Sequence, residues 1–184
     1  YQAVTLKEKE EWSKLLGGRP IDQQDIYFTP EYYELYENNG EGKAICFVYK
    51  AAEDIAIYPF LINSVNELGY NLPEEYFDIQ GAYGYNGVAT SSNTIGFKNN
   101  FRENFFNFCR NHNIIAEFTR FNPILKNNKF SDYLNPIKTN QDIIVDLKYS
   151  EIDTWENIYD SSVRKNVKKA VRNKLFVKQF DGNK

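Results

Sequence analysis

The stretch that decides the fold is YFDIQGAYGYNGVATSS, residues 76–92. It opens on the alternating run YFDIQ, the pattern of a half-buried strand. Three glycines follow at a spacing of three, Gly81, Gly84 and Gly87. Small hydroxyl residues lead from there into an apolar periodicity of helical type. Phe101, Phe105, Phe108 and Cys109 fall at i, i+4, i+7 and i+8, one face of a helix over residues 97–111. Strand, glycine loop and helix make a unit that can cradle a phosphate on orphan amides, or form a tyrosine-rich turn.

Working upstream, Thr5 and Glu8 have the spacing of a capping box, with a helix running to about Leu16 and ended by Gly17 and Gly18. Thr29-Pro30 opens a second helix that ends at Asn39-Gly40. KAICFVYK (43–50) and DIAIYPFLIN (54–63) read as a hairpin of two strands. Downstream, residues 114–121 read as a strand and 122–141 as an Asn- and Lys-rich loop. DIIVDL (142–147) reads as a further strand. A helix follows over about 150–173, broken near Ser161, and LFVKQF (175–180) closes as a strand. Helices mixed with hairpin-linked strands predict an α/β (α+β) class, with a mixed, mostly antiparallel sheet flanked by helices.

Composition agrees with a globular chain: of 184 residues, 42% are hydrophobic and 26% charged, and the 14 Tyr and 14 Phe supply more rings than a core alone requires. No apolar run reaches the roughly 20 residues of a membrane helix. Cys46 lies in an apolar strand and Cys109 on a helix. Neither has a metal-ligand neighbour at useful spacing, so both read as small buried hydrophobes in a reducing, cytoplasmic setting, with no metal site. Pairing of Cys109 with His112, the sole histidine, as a nucleophilic dyad is the weaker reading. The chain begins at Tyr1 and contains no Met, and it stops just after an expected strand. Both ends lead us to expect a piece of a longer protein.

Charge is sorted along the chain. SSVRKNVKKAVRNK (161–174) and the residues up to Lys178 carry Arg164, Lys165, Lys168, Lys169, Arg172, Lys174 and Lys178 without a single acid. That segment is +7 in a chain of net charge −3, leaving −10 elsewhere. On a helix, Val163, Val167, Ala170 and Val171 form a stripe expected to be buried. Arg164, Lys165, Lys168, Lys169 and Arg172 gather on an adjoining arc. Such an arc suits phosphate oxygens or another polyanion; a solvated face beside the acidic remainder is the alternative.

These pieces together resemble a known family. GNAT-superfamily acetyltransferases place a Q/R-x-x-G-x-G/A loop between strand and helix. Here Gln80, Gly84 and Gly87 have a different spacing, which argues against an acetyl-CoA pyrophosphate site. TPEYYELY (29–36), IAIYPFLIN (55–63), the YGYNG loop, RFNP (120–123) and above all RKNVKKAVR (164–172) are similar to segments of FemAB-type proteins. That family includes bacterial aminoacyl-tRNA-dependent peptidyltransferases of peptidoglycan cross-bridges. Where the family commonly has Gly after the basic helix, this chain has Asn173-Lys174. The resemblance implies a GNAT-like three-layer fold over 1–184, the first half of a two-domain protein.

It also implies acyl or aminoacyl transfer to an amine of a phosphate-bearing substrate, with aminoacyl-tRNA as a possible donor and neither DNA nor a bound cofactor. Arg164, Lys165, Lys168, Lys169 and Arg172 would hold the phosphate. Tyr83, Tyr85 and Asn86 would line a cleft, and Arg120 would pair with a carboxylate or phosphate. Asp78, Glu117 and Asp146 are acids in strand-like segments, but none is marked as catalytic. An acetyl-CoA-dependent N-acetyltransferase and a non-catalytic polyanion-binding module stay open as alternatives.

Overall fold

The computed structural model describes residues 1–139, 141 and 143–179. It divides into two compact units, Tyr1–Thr139 and Asn140–Lys184. The first is an α/β unit built on one mixed sheet. Its strands are β1 (Gln2–Thr5), β2 (Lys43–Ala51), β3 (Asp54–Ser64), β4 (Phe77–Gln80), β5 (Ala89–Thr90) and β6 (Ile114–Phe118). The order is β1-β2-β3-β4-β6, with β5 paired to β3. All pairings are antiparallel except β4 with β6.

Local sequence explains the elements. Thr5 and Glu8 form the expected capping box, which leads through a 3-10 turn into α1 (Lys9–Gly17). Pro30 starts α2 (Pro30–Asn38), and the Thr29 hydroxyl accepts from the Tyr32 amide at 3.3 Å. α3 (Ile95–Asn111) begins after Thr94, its N-cap residue. The phenylalanine stripe of α3 packs on one face of the sheet. Phe101, Phe105 and Phe108 meet Phe47, Tyr58 and Phe60 there in mostly edge-on and tilted ring contacts, geometries that the ring quadrupoles favour. The other face buries Trp12, Leu15, Leu16, Phe28 and Tyr33. Trp12 Nε1 donates to the Phe28 carbonyl at 2.9 Å, so its buried donor is satisfied.

Several sequence expectations are corrected. The strand β1 stands ahead of Thr5 where none was predicted; its register with β2, Gln2 opposite Val48, supplies hydrogen bonds that local pattern cannot reveal. The strand expected over 114–121 ends at Phe118, although Asn86 still bridges to Phe121 in parallel. Residues 143–147 form no strand, and Asp142 lies outside the described residues. Residues 175–179 likewise form none, and Phe180 lies outside them too. An isolated strand has no ladder to join, and among the described residues of the second unit there is none.

The second unit contains α4 (Glu151–Asp153), which runs into a π turn over Thr154–Ile158, and α5 (Ser161–Arg172). The expected break falls at Tyr159-Asp160. Asp160 is the cap, its Oδ1 accepting from the amides of Ser162 and Val163 at 2.8 and 3.0 Å; Ser161 and Ser162 sit inside the helix. The valine stripe is also not buried: Val163, Val167 and Val171 are exposed, Val171 by 67%.

Candidate functional site

Four of the five resembling stretches meet around one small cleft in the first unit. Tyr32, from TPEYYELY, donates its hydroxyl to the Tyr83 carbonyl at 2.6 Å. Tyr33 donates to the carbonyl of Pro59, in the strand IAIYPFLIN, at 3.0 Å. The Asn86 amide, in YGYNG, donates to the Arg120 carbonyl of RFNP at 2.7 Å. Asn127 Nδ2 donates to the Asn86 carbonyl at 2.9 Å, and its Oδ1 accepts from the Asn122 amide at 3.0 Å. Asn122 in turn donates its side-chain amide to Asp25 at 3.0 Å.

This wiring explains the glycines without a phosphate. Gly87 has φ +116°, and a Cβ there would sit 2.4 Å from Asn127 Nδ2. At Gly84, φ is +104° and a Cβ would meet the Tyr27 ring at 2.3 Å. Only glycine combines that backbone with so close an approach. The helix that follows starts at Ile95, well past the last glycine. The glycine loop is therefore a packed wall.

The cleft has a volume of about 200 Å³ and is lined by Glu41, Gln80, Tyr83, Asn86, Phe118, Arg120 and the backbone from Gly81 to Gly84. Tyr83 and Phe118 are largely exposed rings. The Arg120 guanidinium lies 5.9 Å from the Tyr83 ring centre, a cation–π arrangement. Asn86 is 1% exposed, and its Nδ2 is buried with no hydrogen-bond partner. Tyr85 stands edge-on to Tyr27 at 5.6 Å, beside the cleft rather than on its wall. Sequence reasoning missed Glu41 and Phe118, because nothing local marks a loop glutamate or a strand-end phenylalanine as facing the glycine loop.

The acids named from sequence have separate settings. Asp78 lies in β4, opposite Asn63 and Ala116. Asp146 accepts from the Lys148 amide at 3.0 Å in a turn. Glu117 lies on the phenylalanine side, where the Tyr58 hydroxyl donates to its Oε1 at 2.6 Å and Thr119 donates at 3.2 Å. Burial pushes its carboxyl above the usual range, against the pull of those two hydrogen bonds. Burial also pushes the Cys109 thiol up to about 12, so it stays protonated. His112 Nδ1 donates to the Phe108 carbonyl at 2.8 Å, an engagement within its own helix.

In the second unit, α5 carries the basic arc. Lys165, Lys168, Lys169 and Arg172 form no ion pair among the described residues. Arg164 differs, because its Nη1 donates to the carbonyls of Trp155 and Glu156, both at 3.1 Å, and to that of Tyr159. It closes the C-terminal end of the π turn, where unpaired carbonyls favour a cation. Beside α5 runs an open groove of about 780 Å³ lined by Trp155, Arg164, Lys165, Lys168, Arg172 and the exposed valines Val167 and Val171. Lys169 is not on its wall.

The helix ends in a Schellman motif: the Leu175 amide donates to the Ala170 carbonyl at 3.1 Å and the Lys174 amide to Val171 at 2.9 Å. The left-handed residue is Lys174, with φ +57°, and not Asn173. Lys174 thus occupies a position that favours glycine.

Among the described residues no group of three or more His, Cys, Asp or Glu could hold a metal, and no helix is long and apolar enough to cross a membrane. Comparison of the chain with protein-family models, with curated proteins and with solved structures gives no match.

Proposed function

We propose that the chain belongs to an acyl- or aminoacyl-transferase of FemAB-like type whose phosphate-bearing substrate is anchored on α5. The observation that carries this reading is the unneutralised arc of Lys165, Lys168, Lys169 and Arg172. Like charges held on one helix face repel, and a phosphate relieves that repulsion while gaining charge-assisted hydrogen bonds. Arg164 serves a different purpose: with Nη1 on three carbonyls, it fixes the turn that presents the groove.

The glycine loop is assigned no phosphate, because the Asn86 amide is bonded to Arg120 and Tyr27 and Asn127 pack where the glycines are. Tyr83, Asn86 and Arg120 instead form a cleft wall in the first unit, with Tyr85 beside it against Tyr27. In the transfer, an amine of the acceptor attacks the donor's acyl carbon. A C–N bond forms, the acyl C–O bond breaks, and the amine's proton leaves with the departing alkoxide. Positioning of the two reactants is the main contribution the protein makes.

The test is transfer of a labelled aminoacyl group to a phosphate-bearing amine, with Lys168→Ala and Arg172→Ala introduced together. The proposal expects a raised KM for the phosphate-bearing partner. Transfer with an unchanged KM would remove the anchoring role.

A further inference from the structure

The cleft of the first unit holds two opposite charges that do not neutralise each other. Glu41 and Arg120 both line it, yet neither forms an ion pair with the other or with any charged group among the described residues. Both residues are exposed. Glu41 accepts from Asn39 Nδ2 at 2.7 Å, which steadies its carboxylate. The Arg120 guanidinium is steadied over the Tyr83 ring. The Asn86 side-chain Nδ2, on the same cleft, is buried without an acceptor against Gly81. An unpartnered buried donor costs free energy unless something completes it. The volume, about 200 Å³, is small.

We propose that this cleft binds the zwitterionic head of a free α-amino acid, the carboxylate on Arg120 and the ammonium on Glu41. A guanidinium and a carboxylate held apart across a small space present complementary charges to a ligand bearing both signs close together. A lone phosphate satisfies Arg120 but is repelled by Glu41. A lone amine does the reverse. Tyr83 and Phe118, which are 73% and 63% exposed, supply apolar surface for a short side chain.

The inference goes beyond the proposed function, in which neither the acyl donor nor the phosphate-bearing acceptor is a free amino acid. It rests on that reading only in treating the cleft as a substrate wall. Binding is read at the cleft itself, so it can fail while phosphate binding at α5 succeeds, and the reverse.

The experiment is titration of the ¹⁵N-labelled full chain with L-alanine, followed by NMR at the amides of Gly81, Gly84 and Phe118. Saturable shifts there are expected. N-acetyl-L-alanine, which lacks the ammonium, and L-alaninamide, which lacks the carboxylate, should each bind at least about tenfold more weakly, the loss of one charge-assisted contact. Arg120→Gln and Glu41→Gln should each weaken L-alanine to a similar degree while leaving distant amides in place. Four results overturn the inference: no shifts at these amides, equal binding of the blocked derivatives, unchanged binding by both variants, or the same shifts produced as readily by inorganic phosphate.

Discussion

Replacing Gly87 by alanine separates the packed-wall account of the glycine loop from a phosphate cradle. The new Cβ would stand 2.4 Å from Asn127 Nδ2 and 3.1 Å from the Phe121 ring, in a buried position. Asn127 must move, which gives up its bonds to the Asn86 carbonyl and the Asn122 amide. At about 1 kcal/mol net for each buried bond, that loss is about 2 kcal/mol. A side chain held at positive φ adds about 1–2 kcal/mol. The total is about 3–4 kcal/mol, a large share of the ~5–15 kcal/mol that holds an ordinary domain. Urea unfolding followed by the fluorescence of buried Trp12, in a Trp155→Phe background, reads the first unit alone. Gly96→Ala is the internal control. It lies in α3 with no atom within 4 Å of its would-be Cβ, so helix propensity should stabilise it by about 0.5–1 kcal/mol. A loss below about 1 kcal/mol at Gly87 would refute the reasoning, because ordinary surface substitutions fall in that range.

Other perturbations have equally definite outcomes. Phe105→Ala empties the centre of the phenylalanine cluster and should cost about 3–5 kcal/mol in the same unfolding assay. Glu117 has a raised folded pKa, so the folded protein keeps a proton that the unfolded chain loses first. Its contribution therefore falls as pH rises from the ordinary glutamate range through the raised value. Glu117→Gln should flatten that part of the stability–pH curve, as urea midpoints at acid and neutral pH would show. Lys174→Gly relieves a left-handed residue at the end of α5 and should stabilise the helix by about 1 kcal/mol, visible as a higher melting temperature by circular dichroism. Asp160→Ala removes the acceptor shared by two amides at the start of α5 and should lower helicity in the same spectra.

Much of the first unit was legible because its signals are local. The Thr5–Glu8 box, Pro30 after Thr29, the hairpin strands and the phenylalanine spacing of α3 each fix an element within a few residues. What escaped depends on distant partners. Nothing in QAVT announces β1; its pairing with β2 creates it. The strand signals at 142–147 and 175–180 are sound as patterns, but a strand exists only where a neighbour supplies a ladder. The valine stripe of α5 has the right period for burial, yet period alone does not provide a surface to cover it. Arg164 shows the same limit at the site: sequence places it on the basic arc, while three carbonyls in space give it a capping role. Glu41 was invisible for the converse reason, lying forty-five residues before Asn86 in sequence and beside it in the cleft.

The measurement that tests phosphate anchoring most directly is the binding of inorganic pyrophosphate to the full chain at low and at high ionic strength. Amide shifts along α5 would read the site, and calorimetry the affinity. Saturable binding mapped to Lys165, Lys168 and Arg172, weakened steeply by salt and abolished by Lys168→Ala with Arg172→Ala, is the predicted result. Binding that ignores salt, or that leaves the α5 amides unmoved, would contradict it.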